Sequence, residues 1–415
     1  MGGFFISAHK LDGVSNNQVF FAIITSYMGV TRVFQKPLHT AYLSGFLFSI
    51  HIAFTIYINS TFLESLVSSS VVGLMYTAGS VFAILGLSYL PKLLNKIGSR
   101  WTLSSGLAIS IVMLSGIVLI HHPIITPILF AVYFGMNTLI LFGIDIFVES
   151  NTTNENTGNT RGQYLTINNV AIMITPFVAG IIANQFGFRI VYAIAAGFVA
   201  LVLVLVLTKM RPKEEPKYER ESFFSTIKIF LKNTNLKRIF VSNFLLQFFY
   251  SWMVIYIPIY LTQTIGLGWD KVGIIMTIAL SAFVLFQYPL GVIADKWLGE
   301  KEILTAGFII TAIAGILVAF TYSEKWWVWA VILFISRMGA SAIEIMTESY
   351  FFKKVDVEDV SAISMFRNTY PLAYIFGPLL ATFFVIFIPI NYLFLILAII
   401  MLYGLRYSVP LLDTK

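Results

Sequence analysis

The sequence predicts an all-α membrane protein whose twelve transmembrane helices form two pseudo-symmetric six-helix halves. Hydrophobic residues make up 58% of the 415 residues and charged residues 11%, whereas soluble domains carry about 25% charged residues. Uncharged apolar runs such as residues 101–120 and 190–207 are long enough to cross a bilayer, and they lack the period-two alternation of barrel strands. Twelve spans of about 20 residues fit this length and leave no room for a separate catalytic domain.

Apolar runs bounded by polar residues, glycine or proline predict the spans in chain order. They cover residues 39–58, 69–90, 101–120, 124–149, 164–183, 190–208, 239–261, 272–294, 303–322, 326–352, 361–386 and 392–406. Residues 1–38 hold one apolar run that is too short to span, which predicts a cytoplasmic N-terminal segment with an interfacial or packed helix. Two prolines and mixed charge in residues 209–238 predict a cytoplasmic linker between the halves at 39–208 and 239–406, and residues 407–415 form a cytoplasmic tail.

The distribution of positive charge predicts the orientation in the membrane. The net charge is +7, and all 27 Lys and Arg residues except Arg189, Lys271, Lys325 and Arg337 fall on the side that holds both termini. Because cytoplasmic loops carry the excess of Lys and Arg, both termini are predicted to be cytoplasmic. The predicted location is the plasma membrane, or the inner membrane of a bacterium. The predicted partners are the lipid bilayer, protons and a small-molecule substrate, with no nucleic acid, and the chain is predicted to be a monomer.

The two halves carry a duplicated pattern. Residues 144–150 in the fourth predicted span read Ile-Asp-Ile-Phe-Val-Glu-Ser, and residues 343–349 in the tenth read Ile-Glu-Ile-Met-Thr-Glu-Ser. Pro176 and Pro378 also lie at matching places in the fifth and eleventh spans. A nearly constant offset of about 200 residues in equivalent spans indicates an internal repeat.

The loop after the eighth span carries a motif. Residues 291–301 read Gly-Val-Ile-Ala-Asp-Lys-Trp-Leu-Gly-Glu-Lys, and a weaker counterpart at residues 91–100 has Asn95 in place of the aspartate. This pattern, together with the spans and the repeat, resembles the major facilitator superfamily, and the resemblance implies a secondary transporter with a cytoplasmic gate in these loops. The implied gate residues are Gly291, Asp295, Lys296, Asn95 and Arg100.

The residues of this loop also have simpler interpretations. Gly291 is expected to permit close helix approach and a tight turn. Asp295 can pair with neighbouring helices at the cytoplasmic surface, as the resemblance implies. Lys296 is explained equally well by the charge that fixes membrane orientation.

Glu149 and Glu348 end the fourth and tenth spans on the predicted cytoplasmic side. They resemble glutamates that sugar-type facilitators pair with arginines to close an inner gate, and Arg161 resembles the partner. The alternative is that both are span-end residues whose charged groups reach the membrane interface.

Three charged residues within the predicted spans are candidates for the substrate or proton site. Arg337 is near the middle of the tenth span, where an arginine costs about 2.5–3.5 kcal/mol on the insertion scale. Glu344 follows two turns later on the same helix face, with Cα atoms about 10 Å apart. Asp145 occupies the position of Glu344 in the other half. We expect these residues to face the space between the halves, although Arg337 could instead hold two helices together through carbonyl groups.

The sequence around Arg337 resembles a pattern of facilitator drug antiporters. Arg337 and Met338 are followed by the small residues 339–342, which resembles the arginine and small-residue pattern in the fourth span of those antiporters, but here the pattern lies in the tenth span. Asn137 occupies the matching region of the fourth span and is a further candidate for the substrate site.

Further candidates are single polar residues in the first and seventh spans. His51 has a side chain that can carry protons near neutral pH, although a lone histidine often serves as a packing residue. Asn243, Gln247 and Tyr250 give the seventh span a polar and aromatic character that suits an amphipathic ligand. Some of them could belong to the aromatic belt at the membrane interface.

The predicted function is proton-coupled export of a small amphipathic compound by alternating access. Uptake of a sugar or an organic anion is the alternative within the transporter class, and a non-transporting receptor or scaffold is the alternative outside it. The chain has no cysteine, no glycine-rich phosphate loop and no catalytic triad motif. We therefore predict no enzymatic activity, no cofactor and no metal site.

Overall fold

The architecture is that of an all-helical membrane protein. A computed structural model describes residues 36–150, 157–210, 233–354 and 365–413, and in these ranges all regular structure is helical. Ten helices within them are long and apolar enough to cross a membrane. The predicted N-terminal segment before residue 36 and most of the predicted linker lie outside the described residues.

The helices form two groups along the chain. The N-terminal group comprises α1 (Lys36–Thr55), α2 (Asn59–Glu64), α3 (Ser69–Ile97), α4 (Ser99–Leu119), α5 (Ile125–Ser150), α6 (Thr157–Phe186) and α7 (Phe188–Lys209). The C-terminal group comprises α8 (Thr234–Ile259), α9 (Trp269–Ile293), α10 (Glu300–Phe320), α11 (Trp326–Lys354), α12 (Thr369–Val385), α13 (Ile390–Tyr403) and α14 (Leu405–Ser408). Short π-helical turns, Tyr260–Thr264 and Ala294–Leu298, continue α8 and α9.

Two predicted spans are not among the ten candidate membrane helices. In the first, α1 ends at Thr55 and the short α2 begins at Asn59, just after the predicted end of the span at residue 58; α12 in the eleventh has 17 residues. Other helices are longer than the apolar runs: α3 continues to Ile97 and α11 to Lys354. A span predicted from hydropathy ends at its last apolar residue. The helix itself can continue, because basic residues in its last turn interact favourably with the carbonyl end of the helix.

Two glycines at matching positions start α4 and α10. Gly98 has φ 82° and Gly299 has φ 93°, backbone values that favour glycine. The prediction that Gly291 makes the turn is wrong. Gly291 lies within α9, and a Cβ there would meet Ile345 at an ordinary 3.8 Å. The chain reverses at Gly299 because that residue has the left-handed conformation.

The two groups pack on each other through α6 against α9 and α3 against α12. We call the end of the bundle that holds Lys96, Lys209 and Lys353 the basic end, and the other the opposite end. Close approaches between the groups lie toward the opposite end, where a Cβ on Gly273 would lie 2.5 Å from the carbonyl oxygen of Pro176. A Cβ on Gly180 would clash with the backbone of Trp269.

Candidate functional site

Arg337 is the most deeply buried cation of the site. The residue is 2% exposed, and its Nε and Nη1 atoms have no hydrogen-bond partner. Its guanidinium carbon lies 5.7 Å from the ring centre of Phe249 and 5.8 Å from that of Tyr250, both on α8. The rings provide a cation–π contact, but they leave the N–H donors without acceptors.

Glu344 is half-buried two turns further along α11. Its Oε2 accepts hydrogen bonds from the hydroxyl of Tyr250, at 3.2 Å, and from Nε2 of Gln287 on α9, at 3.1 Å. Tyr250 therefore connects the two charged residues, since its ring contacts Arg337 and its hydroxyl binds Glu344. Among the described contacts Arg337 and Glu344 form no direct ion pair.

Aromatic residues from both groups surround this pair. Arg337 interacts electrostatically with the hydroxyls of Tyr250 and Tyr374, and both of these interact with Tyr57, in the turn between α1 and α2. The ring of Tyr374 lies 5.6 Å from that of Phe134 on α5. The charged pair thus lies where the N-terminal and C-terminal groups meet.

His51 lies in a neutral cluster within the N-terminal group. Its Nε2 is 2.8 Å from the hydroxyl of Tyr133, which is 2.9 Å from Oγ1 of Thr55, and its Nδ1 has no partner. Asn137 hydrogen-bonds to Tyr133 through its side chain, and its Oδ1 has no partner. The structure brings His51 and Asn137 together in this cluster, on the opposite side of the interface from Arg337.

The polar residues of α8 have different environments. Asn243 is buried and donates through Nδ2 to Oγ1 of Thr369 at 2.9 Å, which ties α8 to α12. Gln247 is half-buried one turn later. Of the three residues predicted on this helix, Tyr250 contacts both charged residues, whereas Asn243 has a packing role.

Acidic and basic side chains also meet near the basic end. Arg367, just before α12, forms a two-point ion pair with Glu348, with Nη1–Oε1 2.5 Å and Nη2–Oε2 3.2 Å. It also interacts electrostatically with Glu344 and with Asp145 of the N-terminal group. Asp145 is exposed, whereas Glu344 at the matching repeat position is half-buried. The structure gives Glu348 a partner, Arg367, that the sequence did not suggest.

The predicted gate residues are only partly described. Arg100 donates a hydrogen bond to the carbonyl oxygen of Leu207 and thus binds the end of α7 within its own group. Asn95 is exposed at the end of α3. For four further gate residues the side chains lie outside the described part of the structure: Asp295, Lys296, Glu149 and Arg161.

The last described residues hold the loop before α10 in place. Asp413 accepts a hydrogen bond from the backbone N–H of Lys301 at 3.0 Å, and therefore caps the start of α10. Buried Glu300 pairs with Lys353 at 2.7 Å. These contacts link the 291–301 motif to α11 and to the end of the chain.

The opposite end of the interface is joined by hydrogen bonds between the groups. Oγ1 of Thr382 donates to the carbonyl oxygen of Ser70 at 3.2 Å, and Oγ1 of Thr77 donates to that of Ile375 at 3.3 Å. Beside them Glu64, which lies between the first two predicted spans, accepts a hydrogen bond from Ser69. Burial raises the pKa of Glu64 above its ordinary value, and this hydrogen bond opposes the shift.

Sequence reasoning missed Gln287, Tyr133 and Arg367. Gln287 is an amide in an apolar span, which was a usable signal. Tyr133 lies one turn before Asn137 on the same face of α5, so helical spacing could have found it. No spacing rule connects Arg367 to Glu348. Among the described residues no group of three His, Cys, Asp or Glu side chains could hold a metal ion.

These features define a multi-pass helical membrane protein with a polar and charged site between two helix groups. A family model of the Major Facilitator Superfamily matches residues 40–278 and 239–411. The chain belongs to this superfamily of transporters, as the sequence predicted.

Solved structures with a similar fold include the nucleoside transporter NupG. That structure has a TM-score of 0.71 and 14% identity, and the match covers 92% of this chain and 100% of the other. A second structure, of a NupG mutant, gives a TM-score of 0.69 and 13% identity, covering 90% and 98%. At these identities the likeness shows the fold alone. No curated protein matches the sequence.

Proposed function

We propose that the chain is a proton-coupled secondary transporter of a small solute, with twelve spans in two six-helix halves that rock around a central site. The observation that carries this proposal is Glu344, an acid within a predicted span that is hydrogen-bonded to Tyr250, whose ring lies beside buried Arg337. Charged groups inside a membrane are expensive to maintain, so they mark substrate or proton pathways. The halves correspond to residues 39–208 and 239–406, joined by the 209–238 linker.

Glu344 is the proposed proton carrier. The ionised carboxylate accepts from Tyr250 and Gln287 and is attracted by Arg337, whereas the protonated acid loses that attraction. Protonation therefore frees Arg337 to interact with the solute. Asp145, at the matching repeat position, is an additional titratable group, whereas His51 is proposed to be a polar packing residue of the N-terminal group.

Uptake by symport is the proposed direction. The site presents fixed donors and acceptors, and a compound without hydrogen-bonding groups would leave them unsatisfied. A nucleoside, the substrate named for the transporter of similar fold, is also a small hydrogen-bonding solute. Export of an amphipathic compound by antiport is the second candidate, because the rings of Tyr374 and Phe134 could hold an apolar body.

The basic end is proposed to be cytoplasmic, with both termini on that side, because of its Lys and Arg residues. We propose that Asp295 helps latch the gate there, and that Glu348 with Arg367 contributes. Asp295→Asn should leave the unfolding temperature unchanged but increase labelling of a single cysteine introduced between the groups from the cytoplasmic side. If labelling and transport are both unchanged, Asp295 has no gate role and acts only as a charged surface residue.

Flux in proteoliposomes tests this function directly. An imposed pH gradient should drive uptake of radiolabelled solutes from a mixed library of sugars, nucleosides and organic acids, and the solute should in turn drive proton movement reported by an interior pH dye. Vesicles that carry Glu344→Gln are the matched control. Solute-driven proton flux of opposite sign would favour export, and the absence of both fluxes would favour a receptor or scaffold.

A further inference from the structure

Arg337 is a buried cation whose hydrogen-bonding capacity is not used by the protein. Two of its three guanidinium nitrogens, Nε and Nη1, have no partner, although the residue is 2% exposed. The rings of Phe249 and Tyr250 lie 5.7 Å and 5.8 Å from its guanidinium carbon, and neither residue provides a hydrogen-bond acceptor for Nε or Nη1. Buried donors are normally satisfied, so unpaired ones in a site between helix groups require an explanation.

Among the described contacts, the acids of α11 form no hydrogen bond or ion pair with Arg337. The carboxylate of Glu344 is hydrogen-bonded to Tyr250 and Gln287. Glu348, one turn further along α11, forms its two-point ion pair with Arg367. The groups that act on Glu344 are Tyr250 and Gln287 through hydrogen bonds and Glu348 and Arg367 at longer range, and Tyr250 in turn interacts with Arg337.

We infer that the transported solute carries a carboxylate and that Arg337 binds this group. The inference rests on the proposed function and names its substrate class. A carboxylate accepts two parallel hydrogen bonds from one edge of a guanidinium, and each edge of Arg337 includes a nitrogen without a partner. A phosphate dianion fits less well, because the other nearby arginine, Arg367, is already paired. The rings of Phe249 and Tyr250 would lie beside the carbon body of the solute.

Charge balance connects this ligand to proton coupling. With the site empty, Arg337 carries a positive charge and ionised Glu344 a negative one, so the pair is neutral. When a carboxylate binds Arg337, the site is neutral only if Glu344 takes up one proton. Both reorienting forms are then uncharged, which a low-dielectric membrane favours. The solute and one proton therefore move together, and the cycle transfers no net charge.

Matched pairs of acids and neutral analogues test this inference on the purified full-length chain. The probes are galacturonate against galactose, benzoate against benzamide, and nicotinate against nicotinamide, at equal ionic strength. Thermal unfolding and calorimetric titration are measured for the wild type, Arg337→Gln and Arg337→Lys. Arg189→Gln, which removes an exposed arginine outside the site, is the control.

At least one acid should raise the unfolding temperature of the wild type and of Arg189→Gln, while its neutral analogue should not. Arg337→Gln should weaken that binding roughly 10- to 100-fold, the loss expected for hydrogen bonds to a charged group, and Arg337→Lys should weaken it less. Titrations in buffers of different ionisation enthalpy should show one proton taken up per acid bound.

Two results would overturn the inference: no acid in the panel with an Arg337-dependent effect, or a neutral analogue that binds as well as its acid. Failure of the proposed function gives a different pattern. If a neutral solute drives proton flux, the proposed transport function is supported and the inference of a carboxylate substrate fails. If carboxylates bind at Arg337 but no flux is observed, the binding site is supported and the proposed transport function fails.

Discussion

The buried polar clusters of the two helix groups differ in charge. In the N-terminal group, His51, Tyr133 and Thr55 form a cluster of ring and hydroxyl groups. In the C-terminal group, Tyr250 connects a buried arginine to a glutamate. The two halves therefore share a sequence pattern, but their buried polar clusters differ in chemistry. Under the proposed function, the C-terminal group would carry the charge chemistry of transport, and the N-terminal group would supply a polar wall.

Backbone turns at matching positions of the two groups are alike, whereas the acids at matching positions are not. Gly98 and Gly299 have nearly the same φ and begin equivalent helices, α4 and α10. Asp145 and Glu344 share a repeat position, yet the first is exposed and the second is hydrogen-bonded by two donors. Backbone turns are set by glycine geometry and persist, whereas the function of an acid depends on neighbours from other helices.

The largest effect should come from replacing the unpaired cation. Arg337→Met should lower solute uptake at least about 100-fold, because the hydrogen bonds to the solute are lost. The same change should raise the free energy of unfolding by about 1 kcal/mol or more, since an unpaired buried charge is replaced by an apolar chain of similar length. Uptake and thermal unfolding are measured together, with Arg189→Met as control. A variant that fails to fold would assign Arg337 a structural role instead.

The next effect concerns the packing between the groups at the opposite end. Gly180→Leu should prevent the close approach of α6 and α9, because even a Cβ there clashes with the backbone of Trp269. Overpacking of this kind costs about 1–3 kcal/mol, so uptake should fall roughly 10-fold or more. Gly197→Leu is the control, since nothing lies within 4 Å of its Cβ position.

The altered packing can be observed directly because the chain has no cysteine. Thr77→Cys, at a buried position between α3 and α12, should react with a membrane-impermeant thiol reagent in the Gly180→Leu background. It should remain protected in the Gly197→Leu background. Equal protection in both would mean that this interface does not open during transport.

Removal of single hydroxyls gives the sharpest comparison of the two clusters. Tyr250→Phe keeps the ring beside Arg337 but loses the hydrogen bond to Glu344, and should reduce proton-coupled uptake about 10-fold. Tyr133→Phe, the equivalent change in the neutral cluster, should have less than about a 3-fold effect because no charged partner is lost. Initial uptake rates at several pH values measure both. Equal losses would show that the clusters contribute equally.

The smallest effect is expected for His51→Gln. Glutamine can retain a hydrogen bond to Tyr133, and the cluster is neutral in either case, so uptake should stay within about 2-fold of the wild type. Its pH dependence should also be unchanged. A shift in the pH profile of uptake would identify His51 as a proton carrier and transfer part of the coupling to the N-terminal group.

Much of the fold could be predicted from composition and hydropathy, because a bilayer requires long apolar helices. The charged residues Arg337 and Glu344 were also recognisable, since an ion inside a span is unusual at any position. Helix ends were less predictable: α3 and α11 continue past their apolar runs into basic residues. The sequence shows that residues 291 and 299 are glycines, but not which of them has the left-handed backbone conformation.

The contacts of the site could not be predicted. Gln287 meets Glu344 because α9 packs against α11, and Arg367 meets Glu348 across the start of α12. Such contacts depend on the rotation and position of separate helices, which one sequence does not specify. The sequence places Arg337 and Glu344 on one helix face, but not Tyr250, whose ring contacts the first and whose hydroxyl binds the second.

The central claim is that Glu344 couples proton movement to solute movement. The most direct measurement compares the wild type and Glu344→Gln in proteoliposomes, recording solute exchange at equal pH and solute accumulation under an imposed pH gradient. Glutamine retains hydrogen bonding but cannot ionise, so exchange should continue while accumulation driven by the gradient is lost. Accumulation by Glu344→Gln at the wild-type rate and with the wild-type pH dependence would contradict the claim.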